Sequence, residues 1–370
     1  MRKAFKYRIY LTNGQRRILE QQLEECRWVY NQVLEARRNA YEQGISLSWY
    51  ETKAMLPGWK ETRPSLKLVH SQVLQNVTQR VDLAFQAFFR RVKEGADDPG
   101  YPRFKQFGRY DSITYPQYGN GVRLDRDRLI LSKVGAVHIV LHRPLEGTPK
   151  TVTLTRAPTG KWYVAFSCET ETKELPPTEH ITGIDVGLAS FATLSNGEQI
   201  ENPRFYRRDE ADLKRVQKRK DAAKNAQDWE ENARQKVLLA KIHERIANRR
   251  SDFAHKRSRE LVNQYQIIVF EDLAPQQMGA RRGREMRKSI MDVAWTQFIS
   301  MTIGKAAEAG RMVILVNPRN TSKMCSQCGE LVEKDLSERV HTCPHCGLVM
   351  DRDKNAALNI LQRGLQTLRL

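Results

Sequence analysis

Cysteine is scarce in this chain: six in 370 residues, too few for a disulfide framework. No apolar run approaches the roughly 20 residues that a membrane-spanning helix needs. The start, Met1-Arg-Lys-Ala-Phe-Lys-Tyr-Arg-Ile-Tyr10, interleaves charges with apolar residues and lacks the continuous hydrophobic region of a secretory signal. A cytoplasmic location without membrane partners is therefore expected. The sequence also lacks a late glycine-rich loop of the kind that holds adenosine. That gap argues against an actin-like ATPase, which Asp185-Val-Gly187 followed by a hairpin would otherwise allow. There is no internal repeat and no long low-complexity tract.

What the chain has in excess is positive charge. Lysine and arginine outnumber aspartate and glutamate by 62 to 43, a net charge of +19. Such an excess attracts polyanions and does little for fold stability. Nucleic acid is the first partner to consider.

Phe5, Tyr7, Ile9 and Leu11 alternate with Lys6, Arg8 and Tyr10, which predicts a half-buried strand. Asn13 is then placed to cap a helix with the stripe Leu19, Leu23, Cys26, Tyr30 and Val33, ending near Gly44. A second stripe, Val69, Val73, Val77, Val81, Phe85 and Phe88, predicts a helix over about 67–94. Tyr101-Pro-Arg103-Phe104-Lys105-Gln-Phe107-Gly-Arg109-Tyr110 mixes aromatics, cations and turn residues, and Tyr115 and Tyr118 continue the theme. The mix suits nucleic acid, since bases stack on aromatics and phosphates follow cations. It equally suits a loop that packs its aromatics on the helices. Short strands are expected at 122–124, 128–131, 137–141, 151–155 and 161–168, and with the first strand they can close a small barrel. Residues 171–179 form a polar, proline-bearing linker.

After the linker, Ile181-Thr-Gly-Ile-Asp185-Val-Gly187 opens two strands, and Asn196-Gly197 is a hairpin signal. One long charged helical stretch is expected over 205–262, with Arg249, Arg250 and Lys256 among its cations. Gln266–Phe270 reads as a buried strand ending in Glu271-Asp272, 291–309 as a helix, Arg311–Val316 as a strand and 354–364 as a closing helix.

Four cysteines form the pattern C-x2-C, fourteen residues, C-x2-C: Cys325, Cys328, Cys343 and Cys346. Gly329 and Gly347 follow the pairs, as tight knuckles require. Four thiolates make a closed tetrahedral zinc site with no open position for chemistry, so one structural zinc is expected per chain. His341 and His345 are nearby but are not needed as ligands. Cys26 and Cys168 sit in apolar contexts and read as buried thiols. Three acids form the second constellation: Asp185 and Glu271 near strand ends, Asp353 at a helix start. Each has a local reading as a turn anchor, surface acid or cap. Jointly they fit a carboxylate cluster for divalent metal that acts on a phosphodiester.

Gly183-Ile-Asp185-Val-Gly187-Leu, Ile268-Val-Phe-Glu271-Asp272-Leu273, Asn317-Pro-Arg-Asn-Thr321-Ser322-Lys-Met-Cys325-Ser-Gln-Cys328-Gly and Asp351-Arg-Asp353-Lys-Asn355-Ala-Ala resemble the split RuvC motifs and inserted zinc ribbon of the TnpB family. Asn248–Lys256 and Gly100–Lys105 resemble further segments of that family, and the likeness runs in order along essentially the whole chain. TnpB proteins are transposon-encoded, RNA-guided DNA endonucleases related to type V CRISPR effectors. Asn320 and Met324 depart from the residues common around the first knuckle, without touching an acid or a cysteine.

The resemblance implies a multidomain α/β and β-barrel fold. A wedge-type β-barrel (1–12 and 120–170) carries an inserted helical recognition lobe (13–119). A linker (171–182) leads to an RNase H-like, or RuvC, nuclease domain (183–320 and 348–370) with a four-cysteine zinc ribbon (321–347) inserted. It implies Asp185, Glu271 and Asp353 as catalytic acids holding Mg²⁺, two ions in the usual scheme. Asp353 is preferred over its neighbour Asp351 because it lies two residues before the Asn-Ala-Ala step. Arg103, Lys105, Arg249, Arg250 and Lys256 become candidate nucleic-acid contacts. The implied partners are a guide RNA from the transposon end and double-stranded DNA, bound by a monomer. A nuclease-inactive RNA- or DNA-binding regulator on the same scaffold is the alternative, and the intact acid set disfavours it. A transposase that joins strands is a further one.

Overall fold

The computed structural model describes residues 1–273, 283–335 and 338–368. Parts of the expected nuclease span (274–282 and 369–370) and of the ribbon span (336–337) lie outside the described residues. The chain divides into two compact units, Met1–Glu171 and Thr172–Leu370.

The first unit is built on a seven-stranded antiparallel sheet in the order β2-β6-β7-β1-β5-β4-β3. Its strands are β1 (Arg2–Tyr10), β2 (Ser112–Tyr115), β3 (Val122–Asp125), β4 (Arg128–Leu131), β5 (Gly135–Val140), β6 (Thr148–Arg156) and β7 (Trp162–Glu169). The edge strands β2 and β3 are consecutive in the chain. In the segment joining them, Tyr118 N donates to the Lys150 carbonyl and Gly121 accepts from Ser132 N, which draws the sheet toward closure. The alternation in β1 sets the inner face: Phe5 opposes Phe166, Tyr7 opposes Val164 and Ile9 opposes Trp162, all buried.

Between β1 and β2 lie α1 (Asn13–Glu42), α2 (Trp49–Ala54), α3 (Leu56–Thr62), a 3-10 turn (Pro64–Leu68) and α4 (Ser71–Lys93). The cap of α1 is Thr12 rather than Asn13. The Thr12 hydroxyl accepts from Gln15 N, and Gln15 reaches back to Thr12 N. The second long helix begins at Ser71, later than expected, because Pro64 starts a separate 3-10 turn. Leu19, Leu23, Cys26 and Val33 of α1 and Val73, Val77 and Val81 of α4 are buried in the same core as the sheet residues. Arg80 of α4 reaches Ser112 and Thr114 of β2 at 3.1 and 2.5 Å, fixing the helices to the sheet.

The second unit holds a five-stranded sheet in the order β10-β9-β8-β11-β12. Its strands are β8 (Ile181–Val186), β9 (Ser190–Leu194), β10 (Gln199–Glu201), β11 (Ile267–Glu271) and β12 (Met312–Val316). β8, β9 and β10 form an antiparallel meander, while β11 is parallel to both β8 and β12. The charged stretch is two helices, α5 (Phe205–Asn225) and α6 (Trp229–Gln264), not one. The turn ends at Asp228, whose carboxylate caps α6 through Glu231 N. The two helices share a small core of Leu213, Val216, Ile242 and Ile246. Next come α7 (Arg284–Val293), α8 (Trp295–Ala309), the hairpin of β13 (Val340–Thr342) with β14 (Val349–Asp351), and α9 (Arg352–Thr367).

Close contact between α9 and the sheet depends on two glycines. A Cβ on Gly183 would run into the Ala357 carbonyl and come within 2.6 Å of Leu361 N, and one on Gly364 would come within 2.6 Å of Val269 Cγ1. The missing side chains let α9 lie directly on β8 and β11. That seating places the start of α9 beside the ends of both strands.

Candidate active site and zinc cluster

Asp185 is the penultimate residue of β8, Glu271 the last of β11, and Asp353 lies in the first turn of α9. All three line one cleft of about 770 Å³. The two strands are parallel neighbours, so their ends lie on the same side of the sheet. Asp351, the ambiguous neighbour, is the helix cap: its Oδ1 accepts from Asp353 N at 3.0 Å and from Lys354 N at 2.9 Å. Asp353 is thereby left to face the cleft. Its Oδ1 meets Arg352 Nη2 at 3.2 Å, and its Oδ2 lies 3.8 Å from Arg339 Nη1.

Burial pushes the Asp185 carboxyl well above the usual range, and the Glu271 and Asp353 carboxylates push it further; Arg352 opposes them. Burial also raises Glu271, against a hydrogen bond from Thr321 and the charge of Arg363. Two acids that resist ionisation, with the carboxylate of Asp353 in the same cleft, fit a site for added cations. They are spread more openly than the cysteines, the one group of three or more potential ligands among the described residues drawn within 4.8 Å. Lys323, Lys334, Arg339 and Arg352 line the same cleft, so its acids are ringed by cations able to meet a phosphate backbone.

The four thiols converge. Cys325 Sγ lies 3.6 Å from Cys346 Sγ, and Cys328 Sγ lies 3.6 Å from Cys343 Sγ. Zinc–sulfur bonds of about 2.3 Å give tetrahedral edges of about 3.8 Å, so the cluster fits that ion. Gly329 and Gly347 adopt φ of +81° and +76°, and their amides donate to Cys325 and Cys343 carbonyls at 2.9 and 3.0 Å. Burial works against ionisation of Cys343, but the amides of Cys346 and His345, with the side chains of Cys346 and Cys328, outweigh it and hold that thiol down to about 6. His341 is buried against Lys334 and is not part of the cluster.

A putative RNA-guided DNA endonuclease of Streptomyces pristinaespiralis is 37% identical over 374 residues, covering 99% of this chain and 90% of that protein. The putative RNA-guided DNA endonuclease InsQ of Escherichia coli (strain K12) is 30% identical over 383 residues, covering 98% and 92%. Residues 165–282 match the family model described as a probable transposase, and residues 295–360 match that of the Cas12f1-like TNB domain. The chain belongs to the TnpB family. Its fold is also that of a mini-RNA-guided endonuclease, CRISPR-Cas_phi3, with a TM-score of 0.55 at 9% identity over 99% of this chain and 92% of that one. Residues 1–46 match a model described as a helix-turn-helix domain, yet here they form β1 and the single long helix α1.

Within this TnpB-family chain the expected nucleic-acid residues separate into two groups. Arg103 and Lys105 are exposed on a loop anchored by Asn31, which accepts from Lys105 N at 2.8 Å and donates to its carbonyl at 3.0 Å. Phe104 and Phe107 are exposed beside them, whereas Tyr110 and Tyr115 are core residues. Arg249 and Arg250 are committed internally: Arg249 pairs with buried Asp209 at 2.9 Å, and Arg250 clasps buried Asp292. Asp292 also accepts from Tyr206 N at 3.0 Å, so Asp292 ties α6 and α5 to α7. Lys256 is exposed and pairs with Asp252 at 2.8 Å.

Sequence reasoning assigned no role to Thr321, Asn355 and Asn359. All three are buried, and they bind the loop before the first knuckle to Glu271 and to α9. Their signal was the polar pair Asn355 and Asn359, one turn apart on a helix whose other inward residues are apolar.

Proposed function

We propose that this chain is an RNA-guided endonuclease that cuts double-stranded DNA beside a short target-adjacent motif, in one RuvC-type site. The observation that carries the reading is the convergence of Asp185, Glu271 and Asp353 on one cleft from two parallel strands and a helix. Support for an RNase H-like domain comes from the strand order. Numbered within the second unit it is 3-2-1-4-5, with only the second strand running against the first. The domain boundaries follow the resemblance (barrel 1–12 and 120–170, recognition lobe 13–119, linker 171–182, nuclease 183–320 and 348–370, ribbon 321–347), except that β2 (Ser112–Tyr115) pairs with β6 of the barrel sheet and β14 (Val349–Asp351) pairs with β13 of the ribbon. A cytoplasmic monomer with a guide RNA from the transposon end completes the reading.

Asp185, Glu271 and Asp353 would hold two Mg²⁺ ions. When bound, such ions supply an activated water and neutralise the leaving oxygen of a phosphodiester. The chain's own part is to bring the three carboxylates to one cleft and to fix their directions, Glu271 through Thr321 and Asp353 through Arg352 and Arg339. Lys323, Lys334, Arg339 and Arg352 would draw the DNA backbone in, and base pairing with the guide would supply sequence specificity. The four cysteines would hold one structural zinc.

Sequencing the RNA that co-purifies with the protein tests the class. One structured species ending in variable guide sequence is expected. A random RNA population would count against guided cutting.

A further inference from the structure

The loop entering the first zinc knuckle touches the supports of two acids at once. The buried Thr321 hydroxyl donates to Glu271 Oε1, with the Pro318 carbonyl at 3.1 Å as the other acceptor in reach. The Thr321 carbonyl accepts from Asn359 Nδ2 at 2.8 Å. The same amide donates to the Met324 carbonyl at 2.7 Å, where Asn355 Nδ2 joins it at 2.8 Å. Asn355 Oδ1 in turn accepts from Ser326 N at 2.9 Å. Met324 and Ser326 flank Cys325, so the asparagines grip the backbone on both sides of a cluster thiol.

Both asparagines are fully buried on α9, two and six residues after Asp353. Buried amides are retained where their hydrogen bonds fix something, because an apolar side chain would pack there without the desolvation cost. Here they lock α9 to the knuckle. Thr321 does the same for Glu271: a carboxylate with one oxygen tethered presents the other in a set direction. Such outer hydrogen bonds typically change metal affinity by about 10–100-fold.

We propose that Thr321, Asn355 and Asn359 are positioning residues that transmit the shape of the thiolate knuckle to Glu271 and Asp353, and so set the divalent-ion affinity of the cleft. This rests on those acids being divalent ligands. The knuckle then acts through two routes, the Thr321 side chain to β11 and the asparagine amides to α9. Neither route needs the cluster to touch substrate.

The test is Mn²⁺ titration of the full-length chain, zinc retained and RNA removed at high salt, followed by the paramagnetic signal of the free ion. Asp185→Asn supplies the background, and zinc content is measured alongside. Thr321→Val is expected to weaken the Asp185-dependent Mn²⁺ site by about 10–100-fold with zinc unchanged, and Thr321→Ser to restore it. Asn359→Ala removes both amide donors without adding volume and is expected to weaken Mn²⁺ in the same direction. Wild-type affinity in Thr321→Val overturns the relay. So does loss of zinc in both Thr321→Val and Asn359→Ala, since the loop would then be only structural. Wild-type protein that binds no more Mn²⁺ than Asp185→Asn refutes the carboxylate site itself, a separate result.

Discussion

At neutral pH the Asp185 carboxylate is half-buried beside two other acids, and burial, Glu271 and Asp353 all raise its pKa. A carboxyl whose folded pKa exceeds its unfolded one stabilises the fold fully at pH below the unfolded value. That stability is lost as the pH rises through the folded pKa. The metal-free chain therefore carries a stability cost at neutral pH, which a cation held as proposed would relieve. Asp185→Asn keeps the shape and removes the charge. In Mg²⁺-free buffer it is expected to raise stability by roughly 0.5–2 kcal/mol, measured by chemical denaturation, while cleavage is lost. Lower stability in this variant would contradict the reading. Protons would also compete with metal held as proposed at Asp185 and Glu271. The Mg²⁺ concentration for half-maximal cutting is thus expected to fall as pH rises above the ordinary carboxylate range, and a flat profile would remove these two acids from the metal site.

The strands and helices owe their placement of the acids to close contact. Gly183→Ala pushes a methyl into the α9 backbone, so the helix must lift from β8 and carry Asp353 with it. A loss of about 1–3 kcal/mol is expected from overpacking, with a fall in cleavage larger than the stability loss explains; thermal melting and cleavage rates on the same samples separate the two. Much of this level was legible in the sequence. Residues 128–131 were expected as a strand and are one, and the period-2 pattern of Phe5, Tyr7 and Ile9 does mark an inner face. The cysteine spacing could be picked out because thiolate chemistry is tied to residue type, while Asp353 is preferred to Asp351 through the resemblance, and only the fold shows Asp185, Glu271 and Asp353 lining one cleft. The break between α5 and α6 was not legible, because charged residues run through it and only the four-residue apolar core shows two helices packing together. Arg249 and Arg250 look like any exposed cations until Asp209 and Asp292 appear opposite them. Thr321 and the two asparagines depend on contacts 29 to 50 residues apart, which no local pattern records.

For the whole molecule, a net charge of +19 must be matched by a polyanion or by salt. Chain stripped of its RNA is expected to bind unrelated RNA, with affinity falling log-linearly with salt concentration; salt-independent binding in a filter assay would argue against an electrostatic grip. The four-cysteine cluster lies between β12 and α9 in the chain, so disrupting it is expected to be felt at the acids. Cys325→Ser is expected to lower zinc content, melting temperature and cleavage together. Full activity without zinc would end the structural role given to it. The most direct measurement is cutting of a DNA target matched to the co-purified guide, with Mg²⁺ present, by the wild type, Asp185→Asn, Glu271→Gln and Asp353→Asn. The wild type should cut matched DNA alone, and each variant should hold the same RNA and cut nothing. Cutting by any one of the three, or cutting of unmatched DNA at the wild-type rate, would contradict a single guided carboxylate site.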